Sequence, residues 1–205
     1  MSNPENHLII FVKAPRPGTV KTRLAHSLGG NKAAAAYAQL VETLVKNLSR
    51  LKHVELRHTP DDAEEEIRPW LQSAWEARPQ GGGDLGARME AAFAEAFARG
   101  ARRVVLIGSD CPEIKRGDIQ EAHVKLKTHE VVLGPSLDGG YWLIGLNRPW
   151  RELFQGIPWS SSQVLGETLE KVRAGHGKVH LLRILTDIDT ESEWRSYVSG
   201  NKTGG

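Results

Sequence analysis

The sequence predicts an α/β sandwich, with helices on both faces of a largely parallel β-sheet. Three observations predict it. Strand-like and helix-like segments alternate along the whole chain. Several strand-like segments, such as Val104-Val-Leu-Ile107, are continuous apolar runs, the pattern of strands buried on both faces. The polar motifs follow directly after such runs, and in open α/β sheets ligands bind at the carboxyl ends of strands.

Residues 8–12 read as a strand that empties into Lys13-Ala-Pro-Arg-Pro-Gly-Thr-Val-Lys-Thr-Arg-Leu24. Prolines fix the course of that loop, Gly18 relaxes it, and a helix is expected to begin near Thr19. Lys13, Arg16, Lys21 and Arg23, together with backbone N–H groups and a helix N-terminus, favour a polyphosphate. The alternative is a set of basic residues solvating a helix start. The loop is neither a P-loop nor GxGxxG.

Residues 31–51 are alanine-rich, with Tyr37, Leu40, Leu44, Val45 and Leu48 at helical spacing. Residues 54–59 suit a second strand. Asp61-Asp62 resembles an N-cap opening an acidic helix through Trp70 and Trp75, broken or kinked at Pro69. A polar loop over 79–83 leads into a helix over 85–99, whose Met89, Ala92, Phe93 and Phe97 form a core stripe, and Gly100 stops it. Strand 104–107 ends in Gly108-Ser-Asp-Cys-Pro112. A helix over 118–127, strands over 131–133 and 141–146, a helix over 163–173 and a strand over 179–185 follow. Thr190 and Glu193 then form a capping box for a last helix containing Trp194. No repeat or linker divides the chain, so residues 1–200 are read as one domain and 201–205 as a disordered tail.

Composition narrows the function classes. The 205 residues are 40% hydrophobic and 25% charged, with a net charge of +2, too mild for a nucleic-acid binder. A single cysteine, Cys111, excludes an intramolecular disulfide and a thiolate zinc cluster, and it is read as a small buried residue. No apolar signal-peptide core and no run near the ~20 residues of a membrane span are present. A cytoplasmic protein without a membrane span is expected. His123, His129, His176 and His180 lack ligand spacing and read as surface residues.

Chemistry is expected at three strand ends. Asp110 ends the run 104–107, where a carboxylate is costly unless hydrogen-bonded or metal-bound. Asp187 and Asp189 are separated by one residue and share a side if the backbone is extended. With Asp110 they supply hard oxygens suited to Mg²⁺ or Mn²⁺. The competing roles are an Asx-type turn for Asp110 and helix capping for Asp189. Asp187 is the better ligand of the pair on spacing. Asp138-Gly139-Gly140-Tyr141-Trp142 provides a turn that a ligand can approach closely, and Gly81-Gly82-Gly83-Asp84-Leu85-Gly86 provides a loop able to wrap a base or ribose. Either is also compatible with a plain loop. Trp142, Trp150 and Trp159 are candidates for an acceptor pocket or the core, with Trp159 favoured to face a ligand.

Five ordered strings carry a resemblance over nearly the whole chain. They are Lys-Ala-Pro-x-Pro-Gly-x-Val-Lys-Thr-Arg-Leu from Lys13, Gly-Gly-Asp-Leu-Gly-x-Arg-Met from Gly82, Ile-Gly-Ser-Asp-Cys-Pro from Ile107, Gly-Pro-Ser-x-Asp-Gly-Gly-Tyr-Trp from Gly134, and Asp-Ile-Asp-Thr from Asp187. On these the chain resembles the DUF2064 family of candidate glycosyltransferases, within the nucleotide-diphospho-sugar transferase (GT-A) superfamily. It is similar also to the guanylyltransferases that activate phospholactate or phosphoenolpyruvate. The resemblance implies a GT-A-like α/β/α sandwich, a nucleotide donor, a small-molecule acceptor and a divalent cation. It implies nucleotide phosphates at Gly18, Lys21 and Arg23, with metal at Asp110, Asp187 and Asp189. The acceptor is implied beside Asp138, Gly139 and Gly140.

Two reactions fit. In glycosyl transfer, the first reading, a nucleotide sugar is the donor, Lys21 helps hold the phosphates and Asp138 is the candidate base for an acceptor hydroxyl. Lys13, Gly82, Asp84 and Gly86 complete the nucleotide side, and Gly139, Gly140 and Trp159 the acceptor side. In nucleotidyl transfer, the alternative, a phosphorylated acceptor attacks a nucleoside triphosphate held by Lys13, Lys21 and Arg23. That acceptor would want further cations, for which Arg148 and Arg151 are candidates. A non-catalytic nucleotide-binding module is the third reading.

Overall fold

Alternation along the first strand already assigns the two faces of the sheet. In the computed structural model, which describes residues 5–202, Leu8, Ile10 and Val12 of β1 (Asn6–Lys13) pack with one buried cluster, and Ile9 and Phe11 with another. The first cluster joins the sheet to α2 (Gly30–Leu48) and α5 (Arg116–Lys125) through Tyr37, Val41, Leu44, Ile119 and Ala122. The second joins it to α4 (Leu85–Ala98) and α6 (Val164–Ala174) through Met89, Phe93 and Val172. The outcome is the expected α/β/α sandwich.

The other strands are β2 (Val54–Thr59), β3 (Trp75–Pro79), β4 (Arg103–Ile107), β5 (Val131–Pro135), β6 (Tyr141–Leu146) and β7 (Val179–Leu181). Among the described residues they form one seven-stranded sheet in the order β3-β2-β1-β4-β6-β5-β7. Pairing is parallel except at β6, which runs antiparallel to both β4 and β5. The short helices α1 (Thr22–Leu28) and α3 (Glu64–Ile67) lie in the loops after β1 and β2, and α7 (Glu191–Lys202) ends the described chain.

Four segments differ from expectation, each for a physical reason. The residues around Trp75 are strand, not the end of an acidic helix. Pro69 lies in a 3₁₀ turn over Arg68–Trp70, Leu71 is already extended, and Trp75 then pairs with Val54 while its indole N–H donates to Leu51 O at 3.0 Å. Helix α1 starts at Thr22 because Lys21 adopts a left-handed conformation, φ 48° and ψ 48°, incompatible with helix. Strand β7 stops at Leu181, with Leu185 making only an isolated bridge to Ser136. Helix α7 continues through Lys202, and residues 203–205 of the expected tail lie outside the described residues. No described helix is long and apolar enough to cross a membrane.

A buried ionic cluster ties α4 to the sheet. Glu55, fully buried on β2, meets Arg57, the Arg99 guanidinium at 2.5 Å and Arg78 at 3.3 Å, while Arg57 reaches Glu95 at 2.6 Å. Burial pushes the Glu55 carboxyl up, but His7 and the arginines outweigh it and hold its pKa at about 2. The cluster thus fixes the helix whose first turn borders the cavity described next.

Candidate active site

The carboxyl ends of β1 and β4, the start of β6 and the first turn of α4 enclose a cavity of about 570 Å³. Lys13, Asp84, Asp110, Asp138, Gly140, Trp159 and Asp187, all selected from the sequence, line it. Asp110 follows β4 on a loop fixed from behind. The adjacent Ser109 hydroxyl is 2.8 Å from the Tyr37 hydroxyl, which also accepts from the Lys13 backbone N–H at 2.8 Å.

The C-terminal loop is pinned against that same turn. The Ile188 N–H donates to Asp110 O at 3.0 Å, and the buried Cys111 thiol donates to Thr186 O at 3.4 Å. Burial, and next the Asp187 carboxylate, push that thiol up to about 12, consistent with the expected structural role of Cys111. At the start of α7, Thr190 and Glu193 exchange the capping-box hydrogen bonds, and Glu193 also accepts from the Asp189 N–H at 2.8 Å. Capping therefore falls to Thr190, and the Asp189 carboxylate is free for other work.

That work is with Lys21. Its ammonium lies 2.5 Å from Asp110 Oδ1 and 2.9 Å from Asp189 Oδ1, with its side chain 2% exposed. Burial favours the neutral amine, but the two carboxylates outweigh it, so the pKa is raised and the lysine stays charged. Asp187 stands nearby. Burial, and then Asp110, Asp138 and Asp189, push its carboxyl up to about 7.

Asp110 and Asp189 fit a divalent cation in donor chemistry, since two hard carboxylate oxygens already converge on one positive charge. The full trio is not gathered. Among the described residues no three of His, Cys, Asp and Glu are close enough to ligate one ion. It is Asp189, rather than Asp187, that faces Asp110 across the bound charge.

The four loop cations do not converge. Arg16 is committed to Glu66 at 2.5 Å and Asp62 at 3.1 Å. Arg23 is largely exposed, 3.8 Å from Asp189. Gly18 turns the loop at φ 83° in open space, outside the cavity lining. Gly82 likewise meets open space, while Asp84 caps α4 by accepting from the Ala87 N–H at 2.8 Å.

The residues expected to face an acceptor are placed as follows. Asp138 Oδ1 accepts from the Ser136 hydroxyl at 2.5 Å and from the Gly140 N–H at 3.0 Å. Gly139, at φ 88°, packs where a Cβ would collide with the Ser162 carbonyl. Trp159 and Trp142 both line the cavity, Trp142 from a buried position with its indole N–H donating to Arg183 O at 3.2 Å, whereas Trp150 is buried outside the lining. Gly86, in the first turn of α4, packs against Trp159: a Cβ there would approach the indole nitrogen at 2.5 Å.

Three residues were not singled out by sequence reasoning. Arg88 lines the cavity and donates to Gly83 O at 3.0 Å; its signal was its place inside the Gly-Gly-Asp-Leu-Gly-x-Arg-Met string. Gln80 braces two strand ends by donating to Val12 O and Arg57 O, each at 3.0 Å, and has no local sequence signal. Tyr141 lines the cavity with its hydroxyl buried; its signal was its place inside the Gly-Pro-Ser-x-Asp-Gly-Gly-Tyr-Trp string. His123 is half-buried rather than at the surface, 3.2 Å from His7 O, and burial holds its pKa down at about 4.

Comparison with known proteins places this geometry. No curated protein sequence matches the chain. A candidate nucleotide-diphospho-sugar transferase from Desulfovibrio desulfuricans G20 superposes with a TM-score of 0.90 at 36% identity, over 98% of this chain and 90% of that one. Rv0371c from Mycobacterium tuberculosis H37Rv, solved with manganese, shares the fold at a TM-score of 0.56 and 15% identity, over 95% and 98% of the two chains. The inositol-1-phosphate CTP transferase from T. maritima does so at 0.58 and 12%, over 98% and 96%. Residues 43–161 match the family described as "Uncharacterized protein conserved in bacteria (DUF2064)". The chain belongs to the DUF2064 family.

Proposed function

We propose that this protein is a cytoplasmic, metal-dependent glycosyltransferase that takes a nucleotide-sugar donor and a small hydroxyl-bearing acceptor. One observation carries the reading: the cations of the cavity and its candidate base have different neighbours. Among the described lining residues the cations are Lys13 and Arg88, both beside Thr59, which pairs with Lys13 and is 3.5 Å from Arg88. Asp138, also in the lining, is hydrogen-bonded to Ser136 and Gly140 and forms no ion pair among the described residues. Arg148 stacks 3.9 Å from the Trp150 ring, and Arg151 pairs with Glu90 at 3.0 Å. A phosphorylated acceptor would thus meet carboxylates with no counter-charge, whereas a neutral hydroxyl suits the same surface.

In this reading Lys13, Arg88 and the loop from Gly82 to Gly86 hold the nucleotide, and Lys21 and Arg23 face its phosphates. Asp110 and Asp189, with Asp187 beside them, would hold Mg²⁺ or Mn²⁺, which supplies charge neutralisation for the leaving diphosphate. Trp159, Gly139 and Gly140 position the acceptor. Asp138 orients its hydroxyl and takes the proton as that oxygen attacks the anomeric carbon. The Ser136 and Gly140 hydrogen bonds both go to Oδ1, which leaves Oδ2 for that proton.

Nucleotidyl transfer is the second reading, favoured by the shared fold of the T. maritima CTP transferase. Thermal shifts with Mn²⁺ and a panel of nucleotide sugars, diphosphates and triphosphates test the two. Stabilisation by a nucleotide sugar or its diphosphate, but not by the triphosphate, supports glycosyl transfer. A triphosphate preference moves the assignment to nucleotidyl transfer, and no response to any of them contradicts both.

A further inference from the structure

We propose that Lys21 is an internal competitor for the divalent cation, so that metal binds well only when a nucleotide draws the lysine away. The inference rests on the metal site of the preceding section. Lys21 Nζ fills the gap between Asp110 and Asp189, 2.5 and 2.9 Å from their oxygens, and an ion bridging the same oxygens would need that space.

The lysine is built inward. Its backbone sits in the left-handed region, φ 48° and ψ 48°, a conformation that costs a non-glycine residue about 1 kcal/mol or more. Its carbonyl accepts from the Ala25 N–H at 2.8 Å in the first turn of α1. The ion pairs offset the strain and the burial. Arg23 provides the contrast, being 74% exposed and 3.8 Å from Asp189, so it adds positive charge beside the gap without entering it.

Population arithmetic gives the consequence. A protein whose metal-competent form is a small fraction of the ensemble shows an apparent affinity reduced by that fraction. A diphosphate offers the ammonium other oxygens and enlarges the competent fraction. Metal and nucleotide then bind cooperatively, each strengthening the other by the same factor.

The test is Mn²⁺ binding to the full chain, followed by the EPR signal of free Mn²⁺, with and without GDP or UDP. Wild type is set against K21Q, K21M and R23Q, each checked for an unchanged thermal transition; of the two Lys21 variants, either one that folds suffices. Without nucleotide, the Lys21 variant is expected to bind Mn²⁺ at least about tenfold more tightly than wild type, and R23Q within about threefold of it. The diphosphate should strengthen Mn²⁺ binding to wild type markedly and to the Lys21 variant little. Equal affinities in wild type and the Lys21 variant overturn the proposal while leaving the metal site in place. An equal gain in R23Q also overturns it, because general electrostatics would then account for the effect. Absence of Mn²⁺ binding in every protein and state overturns both this proposal and the metal reading beneath it.

Discussion

Gly86 and Trp159 are in contact at a position that admits no side chain: a Cβ on Gly86 would lie 2.5 Å from the indole nitrogen and 2.7 Å from Phe154 O. The first turn of α4 is thereby packed against the Trp159 wall of the cavity. Gly86→Ala must move Trp159, the backbone of the Phe154 turn, or α4 itself. It should cost about 1–3 kcal/mol in denaturant unfolding and change the Trp fluorescence of the folded protein. A spectrum and stability identical to wild type would separate the two elements.

Asp110 is nearly half exposed, but it is one of the two carboxylates that hold the buried Lys21 ammonium. Asp110→Ala should bring nucleotide affinity in the presence of Mn²⁺ down to the metal-free value, with a lowered melting temperature but a folded chain, because Asp189 still pairs with Lys21. Titration calorimetry with and without Mn²⁺ checks this, and a preserved metal effect removes Asp110 from the site.

Glu55 offers a test far from the chemistry. Replacing it with alanine removes the buried carboxylate shared by Arg57, Arg78 and Arg99 and leaves them only the more exposed Glu95 and Glu76. A broken buried pair typically costs about 3–5 kcal/mol, which urea unfolding would resolve. A loss below about 1 kcal/mol would mean that apolar packing alone seats α4.

His123 gives a pH dependence with a definite sign. Its folded pKa is depressed from 6.5 to about 4, so the unfolded chain takes up the proton first as pH falls. The stabilisation is full above pH 6.5 and is lost progressively down to pH 4, by up to about 3 kcal/mol. His123→Gln keeps an N–H for the His7 carbonyl and should make stability fall less between those pH values. Parallel curves for the two proteins would contradict the assignment.

Much of this architecture was legible in the chain. The continuous run of β4 and the alternating packing of β1 required only local apolar pattern, and the capping box of Thr190 and Glu193 required only spacing. Strand β3 was hidden because Trp-Glu-Ala-Arg-Pro lacks an apolar run; it is an edge strand, defined by pairing with β2. The site shows the same division. Asp110 and Asp187 could be selected as strand-end carboxylates and Asp138 as part of a glycine turn, and all three line the cavity. The pairing of Lys21 with Asp189 spans 168 positions, and that of Arg16 with Glu66 spans 50. Both arise from chain closure, which no local spacing encodes.

The central claim is tested most directly by the identity of the leaving group. Phosphorus NMR of the protein with Mg²⁺, an acceptor extract and, in turn, nucleotide sugars and nucleoside triphosphates would observe it. Glycosyl transfer gives a nucleoside diphosphate released from a nucleotide sugar, at a rate lowered in Asp138→Asn by about a hundredfold or more, with donor affinity retained. Pyrophosphate released from a triphosphate, with nucleotide sugars left intact, would contradict it.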